Sequence, residues 1–464
     1  MMNNWKNIYF VGIGGIGMSA LARWFKANEF AVAGYDKTST PLVQSLVAEG
    51  IPVTLEDEIE SIPAAFLEDP SETLIVYTPA VPIQHKQMNY FRQENFMILK
   101  RSQVLGLLTK NLKTVGVAGT HGKTTTSSLV AHILRYADVN CTAFLGGITQ
   151  NYGTNLLLNA PTENLSEVVC VVEADEFDRS FLTLFPEIAI VTSTDADHLD
   201  IYGKHENVLA SFREYVGQID EAGVLFMREG LDLAESTKAK VYTYSLDSGD
   251  YHAAGIRIEN ARFVFDIVHP EGVIKNIAMK IPGYHNIENS IAASAVALHL
   301  GVSGENVKGA LESYKGVKRR FEYQVELPGK VYIDDYAHHP SEIEAFLSSV
   351  KALYPGRHIT GIFQPHLFSR TRDFADGFSE SLSLVDRLLL LDIYPARELP
   401  IEGVNAAMLL DKIEIEDKHL VSKKDVLDLL PKLNTDIVVT IGAGDIDTLV
   451  GPVKNILQNP FSNN

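Results

Sequence analysis

Short apolar runs alternate along this chain with longer stretches in which apolar residues recur three and four apart, the pattern of buried strands alternating with one-sided helices. The pattern predicts a strand over 114–118 and a helix over 124–136, with Leu129, Val130, Ile133 and Leu134 on one face. Before these it predicts strands over 8–13, 31–35 and 73–78, one closing at Ile98 and Leu99, and a helix over 18–27. After them come strands over 168–172 and 188–192, then a helix carrying Ile291, Ala295 and Leu298 and ending at Gly301. Further strands fall at 331–334, 358–363, 387–391 and 436–441, with helical stretches between. Such alternation reads as an α/β protein with parallel sheets. At ~150 residues per domain the length allows three domains, divided as 1–110, 111–316 and 317–464.

Composition removes several classes of function. The 40 basic against 59 acidic residues give a net charge of −19, the wrong sign for a protein that binds by neutralising polymer phosphates, so nucleic acid is not expected as a partner. The two cysteines, Cys141 and Cys170, lie in apolar surroundings, which argues against a disulfide framework and for a reducing compartment. Residues 1–6 lack the basic and apolar regions of a signal peptide, and no run reaches the ~18 apolar residues of a membrane span. A cytoplasmic protein without membrane insertion is expected.

Two glycine-rich turns lie between a predicted strand and a predicted helix. The second, Gly116-Val-Ala-Gly-Thr-His-Gly-Lys-Thr-Thr-Thr126, has the context of a phosphate cradle: N–H groups of the first helical turn and the positive end of the helix dipole converge on one spot. Gly119 and Gly122 allow close backbone approach, Lys123 supplies a charge for the β- and γ-phosphates, and the Thr124 hydroxyl is placed for Mg²⁺. ATP is the expected ligand, with Thr120 and Thr125 in the same turn. The spacing departs from the strict phosphate-loop pattern, since Gly116 falls one residue early and Val117 holds the usual position. The first turn, Gly12-Ile-Gly-Gly-Ile-Gly17, is followed nineteen residues on by Asp36 at a strand end, which on physics alone also suits NAD and an oxidoreductase. No hydride-acceptor pocket is evident before Lys110.

Other chemistry gathers where strands end. Glu173-Ala-Asp-Glu-Phe-Asp178 makes Glu173 a metal candidate, and Asp195-Ala-Asp-His-Leu-Asp200 follows the next strand. The loop Tyr152-Gly-Thr-Asn155 is rich in amide donors, while Thr78 and Arg101 stand at strand ends. Asn286 and Asn289, three apart on a first helical turn, suit either a base edge or ordinary capping. Tyr336, His338 and Arg370 lie in Asp334-Asp-Tyr-Ala-His-His-Pro340 and Phe363-Gln-Pro-His-Leu-Phe-Ser-Arg-Thr371. They suit a small zwitterion, the guanidinium on its carboxylate and the imidazole and phenol near its amine. Arg319 and Arg320 read as a solvated linker pair.

These motifs, with Gly442-Ala-Gly-Asp-Ile446, resemble in order and over nearly the whole chain the Mur ligase superfamily, the ATP-dependent amide-forming enzymes of peptidoglycan assembly. The opening and closing motifs resemble its branch that joins L-alanine to the lactyl carboxylate of UDP-N-acetylmuramate. The resemblance implies a Rossmann-like UDP-binding domain, a central ATPase-type domain with a phosphate loop, and a Rossmann-like closing domain. It places Gly14, Gly15, Gly17 and Asp36 at the UDP moiety and leaves Thr78, Arg101 and Asn155 as further contacts. It implies Glu173 and His198 on Mg²⁺, Asn286 and Asn289 at adenine, Arg320 at the γ-phosphate and Asp335 at the ribose. Catalysis then rests on Lys123, Glu173, His198, Arg320 and His338. Two positions depart from the family: Ser193 where Asn is usual, and Leu367 where some members carry a second arginine. A related branch that recycles a tripeptide shares the ATP motifs but differs at the opening turn and at Gly-Ala-Gly-Asp.

Overall fold

The structure is a computed structural model that describes residues 5–110, 112–162, 164–196, 199–260, 262–396 and 398–458. They fall into two compact units, one made of Met1–His252, His269–Glu271 and Asn289–Ala310, the other of Ala253–Val268, Gly272–Glu288 and Leu311–Asn464.

The first unit holds one parallel sheet and most of a larger, mixed one, in which Leu156–Leu157 pairs antiparallel with Cys141–Phe144 at one edge. The five-stranded sheet runs in the order Val53–Thr54, Ala31–Tyr35, Asn7–Val11, Thr73–Tyr77, Met97–Lys100, all parallel, the strand order of a dinucleotide-binding sheet without its last strand. The predicted first strand ends at Val11 because the chain turns at Gly12, whose φ of +87° belongs to glycine, and the helix Ile16–Ala27 starts two residues early. The larger sheet places Lys113–Ala118 between Ile188–Val191 and Val169–Glu173, with Val224–Arg228 and Lys240–Ser245 outward on one side and Cys141–Phe144 on the other. Its inner strands are Val- and Ile-rich and buried on both faces, as parallel strands under helices must be. Cys141 and Cys170 lie here on neighbouring strands, both free and buried; burial pushes the Cys141 thiol up to about 11 and raises Cys170 as well.

Register sets the functional edge of this sheet. Ala118 lies opposite Val191 and Val117 opposite Glu173, so Gly119, Thr192 and Ala174 leave the sheet side by side. The strand Tyr251–Glu259 begins in this unit and runs into the second, where Arg262–His269 and Gly272–Met279 follow it in sheet order.

The second unit carries a six-stranded sheet in the order Glu322–Leu327, Lys330–Asp335, Ile437–Ile441, Ile359–Phe363, Arg387–Leu390, Lys418–Leu420. Only the first pair is antiparallel, and it is bulged between Tyr323 and Val325. Asp335, Ile441, Phe363 and Leu390 end their strands in register, so Tyr336, Gly442, Gln364 and Leu391 emerge at one edge. With a mostly parallel sheet in each domain, the architecture is a three-domain α/β fold. Among the described residues no helix is long and apolar enough to cross a membrane.

Candidate active site

The second glycine turn follows strand Lys113–Ala118 and opens helix Lys123–Tyr136. Two positions in it accept only glycine. Gly119 has φ +138°, and a Cβ there would lie 2.0 Å from Thr192 Oγ1; Gly122 has φ +79°, and a Cβ there would lie 2.7 Å from Asn289 Oδ1. Asn289 also accepts from the Thr126 hydroxyl at 3.1 Å, which fastens its helix to the first turn of the cradle helix. Thr120 and Thr124 are buried and Thr125 is half-buried.

The cradle is clasped from the neighbouring strand end. The Ser193 carbonyl accepts from Thr120 N–H at 3.2 Å, its hydroxyl accepts from His121 N–H at 2.8 Å, and the Thr120 and Ser193 hydroxyls meet at 2.8 Å. Thr120 Oγ1 in turn accepts from Asp195 N–H at 3.1 Å. Ser193, the departure from the family pattern, is therefore a direct partner of the phosphate turn.

Lys123 Nζ donates to Gly119 O at 2.6 Å and to both carboxylate oxygens of Glu176, at 2.7 and 3.0 Å. Burial works against the ammonium, but the charges of Glu176, Asp175 and Glu173 outweigh it and raise its pKa above the ordinary lysine value. Glu173 ends strand Val169–Glu173 and lies over Gly146, where a Cβ would meet its carboxylate at 2.1 Å. Glu173 ends the strand beside the one that leads into the turn and its charge acts on Lys123, the neighbour of Thr124; a carboxylate and a hydroxyl are ligands of the kind Mg²⁺ takes alongside phosphate oxygens. His198 lies outside the described residues, so its separation from Glu173 is not part of this geometry.

The first glycine turn is closed by its own aspartate: Gly14 N–H donates to Asp36 Oδ2 at 2.8 Å and Thr38 N–H to Oδ1 at 3.1 Å. Thr78 and Arg101 abut the same turn, Thr78 Cγ2 lying 2.7 Å from a Cβ position on Gly12 and Arg101 Nη1 2.9 Å from one on Gly17. Gly15 caps the helix Ile16–Ala27. Asn155 is fully buried beneath that helix, donating to Ile16 O at 2.5 Å and Ser19 Oγ at 3.1 Å and accepting from Arg23 at 2.7 Å. The structure thus gathers Gly14, Gly15, Gly17, Asp36, Thr78 and Arg101 around one turn, with Asn155 tying its helix down.

In the second unit the arginine pair is not a solvated linker. Arg319, at φ +61°, pairs with the fully buried Asp334 at 3.3 Å and donates to Gly442 O at 2.6 Å, because burial leaves the Asp334 carboxylate in need of a cation. Arg320 lies 3.8 Å from Glu342, and the guanidiniums of Arg319 and Arg320 stand 5.0 and 5.2 Å from the Tyr336 ring centre. Asp335 accepts from Phe321 N–H at 2.7 Å and Ala337 N–H at 2.8 Å; burial nevertheless pushes its carboxyl up to about 6, with Arg320 opposing.

Tyr336, His338 and Arg370 come together through a residue that the motif contains but the expectation did not single out. His366 accepts from Arg370 Nη1 at 3.5 Å, meets the His338 ring at 6.2 Å and stacks on Tyr394 at 5.8 Å. His338 Nδ1 donates to Tyr336 O at 3.1 Å, which puts the lone pair of the neutral ring on Nε2. Gln364 joins the edge to the closing motif, donating to Asp445 Oδ1 at 2.8 Å and accepting from Ile446 N–H at 2.8 Å. Leu367 is buried and holds φ +72°, so the position where some members place an arginine turns its side chain inward. Asn286 belongs to this unit, donates to Pro282 O at 2.7 Å and is buried; Asn289 belongs to the first. Residues the sequence reading passed over are Glu176, His366, Tyr394 and Gln364. The signal for the first was its place three residues past Glu173 at a strand end. For His366 and Gln364 it was their place in the motif after Phe363.

A glycine-rich strand-to-helix turn of the kind that suits an anion, a second glycine turn on a separate sheet and a third sheet with an arginine–histidine edge are the features of a nucleotide-using, three-domain α/β enzyme. Residues 7–113 match the family described as Mur ligase family, catalytic domain; 117–297 match Mur ligase middle domain; 319–444 match Mur ligase, glutamate ligase domain. The chain is 48% identical over 457 residues to the UDP-N-acetylmuramate–L-alanine ligase of Cytophaga hutchinsonii, covering 98% of this chain and 97% of that one. It is 49% identical to the ligase of the same name from Flavobacterium psychrophilum, covering 98% and 99%. The crystal structure of UDP-N-acetylmuramate-alanine ligase from Thermotoga maritima superposes with a TM-score of 0.81 at 27% identity, covering 98% of this chain and 99% of that one. The chain belongs to the Mur ligase family, and as a member it is an ATP-dependent ligase that forms an amide bond and releases ADP.

Proposed function

We propose that this ligase joins L-alanine to the lactyl carboxylate of UDP-N-acetylmuramate, in the cytoplasm, through an acyl phosphate made at the expense of ATP. The observation that carries the choice of amine is the cluster of Tyr336, His338, His366 and Arg370 at one sheet edge. A free amino acid offers two polar handles, and this edge offers a guanidinium for its carboxylate and an imidazole Nε2 lone pair for its amine proton. The domains 1–110, 111–316 and 317–464 would hold the UDP substrate, ATP and amino acid respectively. Gly14, Gly15, Gly17 and Asp36, with Thr78 and Arg101, serve the UDP moiety, and Asn155 supports them. Gly119, Thr120, Gly122, Lys123, Thr124 and Thr125 hold the triphosphate, Asn286 and Asn289 the adenine, Asp335 the ribose and Arg320 the γ-phosphate.

Thr124, Glu173 and His198 would hold Mg²⁺, which when bound offsets phosphate charge during transfer. Lys123 and Arg320 stabilise the negative charge that develops on the transferred group, and His338 takes the amine proton as the amine attacks. Juxtaposing the amine and the acyl phosphate supplies up to about 7–11 kcal/mol of the barrier reduction. The decisive assay is phosphate release from ATP with UDP-N-acetylmuramate and each candidate amine in turn. Turnover with L-alanine is expected; preference for a tripeptide would assign the recycling branch, and a nicotinamide-dependent reaction without phosphate release would assign the first turn to NAD.

A further inference from the structure

Glu176 is a buried carboxylate to which the proposed chemistry gives no task, and the chain bends sharply to place it. Its side chain is 1% exposed while touching the one lysine of the phosphate turn through both oxygens. The segment behind it is strained: Asp178 and Arg179 are consecutive non-glycine residues at φ +53° and +55°, a conformation that persists only where the surroundings enforce it. Those surroundings are visible. Tyr202 OH donates to the Glu176 carbonyl at 2.6 Å, Phe181 N–H returns to Asp175 O at 2.9 Å, and the Phe181 ring stacks on Tyr215 at 4.9 Å with Phe212 edge-on at 5.2 Å. At the surface, Lys100 pairs with Asp178 and Arg179 with Glu214.

We propose that Glu176 is a positioning residue for phosphoryl transfer, holding the Lys123 ammonium against Gly119 O so that its charge sits at one fixed place in the cradle where the transferred phosphoryl group arrives. A lysine side chain has four rotatable bonds and a spherical charge, so attraction alone brings it near a phosphate without aiming it. Gly119 O takes one N–H at 2.6 Å and the Glu176 carboxylate lies across the others at 2.7 and 3.0 Å, with Thr120 O at 3.5 Å, so the ammonium is anchored on the turn from opposite partners and its distance to an incoming phosphate is set before the ligand binds. Within a low-dielectric site a misdirected charge still binds anion but stabilises the transition state less, so the loss should fall on turnover more than on binding. This inference rests on the reading of Lys123 as the ATP lysine.

The test uses the full chain with Glu176→Gln, which keeps shape and removes charge, and Glu176→Asp, which keeps charge and shortens the reach. ATP and UDP-N-acetylmuramate binding are measured by calorimetry, and turnover by phosphate release. Glu176→Gln should lower kcat at least tenfold while ATP affinity stays within about threefold and UDP-N-acetylmuramate affinity is unchanged; Glu176→Asp should recover part of the loss. A kcat within threefold of wild type overturns the proposal, as does an equal loss of both ligands, which would make the ion pair a general support of the fold. Failure of the wild type to bind ATP would instead overturn the reading of the cradle.

Discussion

The hydroxyl of Ser193 lies 2.8 Å from the hydroxyl of Thr120 and accepts the His121 N–H at 2.8 Å, so one small side chain holds two consecutive residues of the phosphate turn from the neighbouring strand. Both hydroxyls are buried, and a buried donor left without its acceptor costs more than an exposed one. Ser193→Ala should therefore raise the KM for ATP about tenfold, which corresponds to ~1.4 kcal/mol, and leave the KM for the UDP substrate unchanged. Steady-state kinetics with each substrate varied in turn checks this; equal rises in both would mean that the clasp supports the whole unit.

Lys123→Ala should lower ligation by roughly a hundredfold or more, since it removes a charge aimed at the developing phosphoryl oxyanions. UDP-N-acetylmuramate should still bind with near-native affinity, because the first glycine turn, closed by Asp36 and abutted by Arg101, stands on its own sheet. Calorimetric titration with each ligand separates the two outcomes.

How much of this was legible in the sequence differs by level. The strands and helices that flank the glycine turns, both turns themselves and the Tyr336–His338–Arg370 edge follow from local patterns, because parallel strands are continuous apolar runs and tight turns demand glycine; the strands Cys141–Phe144, Val224–Arg228, Lys240–Ser245, Tyr251–Glu259, Arg262–His269 and Gly272–Met279 were not among those expected. The antiparallel strand Glu322–Leu327 was not legible, since only its Val325 is buried and it reads as linker. Nor was Glu176, whose partner is Lys123, 53 residues away. Arg319 was misread for a similar reason: its carboxylate partner, Asp334, lies fifteen residues on, at a strand interior where a charge is unexpected.

Arg370→Lys should raise the KM for L-alanine by roughly tenfold or more while sparing that for ATP, because an ammonium cannot reproduce the two-pronged contact of a guanidinium with a carboxylate. Glycine and L-serine should serve as weak substrates of the wild type, since a small pocket distinguishes one methylene by only ~1–3 kcal/mol. A rise in the KM for ATP instead would move Arg370 to the phosphate site.

Acid should destabilise the protein through its buried histidines. His132 is held neutral, with a pKa pushed down to about 4 mainly by burial; its Nε2–H donates to Ala310 O at 3.1 Å and its Nδ1 accepts from Tyr152 OH at 2.8 Å. Burial likewise depresses His285 to about 4. Unfolded histidine titrates near 6.5, so between pH 6.5 and 4 the unfolded chain binds more protons than the native one. The contribution is fully present above pH 6.5 and is lost as pH falls toward 4, each histidine adding up to ~1.4 kcal/mol per pH unit to the slope. Asp335, whose carboxyl burial raises to about 6, acts in the opposite sense between pH 6 and 4 because the native state binds that proton first, so the check is a comparison: in denaturant melts from pH 7 to 4, His132→Gln should show a slope shallower than wild type by about one proton.

The two free thiols give the central sheet a reporter of its own motions. Cys170 shares a strand with Glu173, and Cys141 lies on the strand beside it. With both thiols sealed from water and their thiolates suppressed, an alkylating reagent reacts only when that part of the sheet comes apart. Labelling rates therefore measure how often the strand that carries the metal candidate opens. Any nucleotide that grips the folded cradle must slow them in proportion to its occupancy, so binding can be followed on the unmodified wild-type chain.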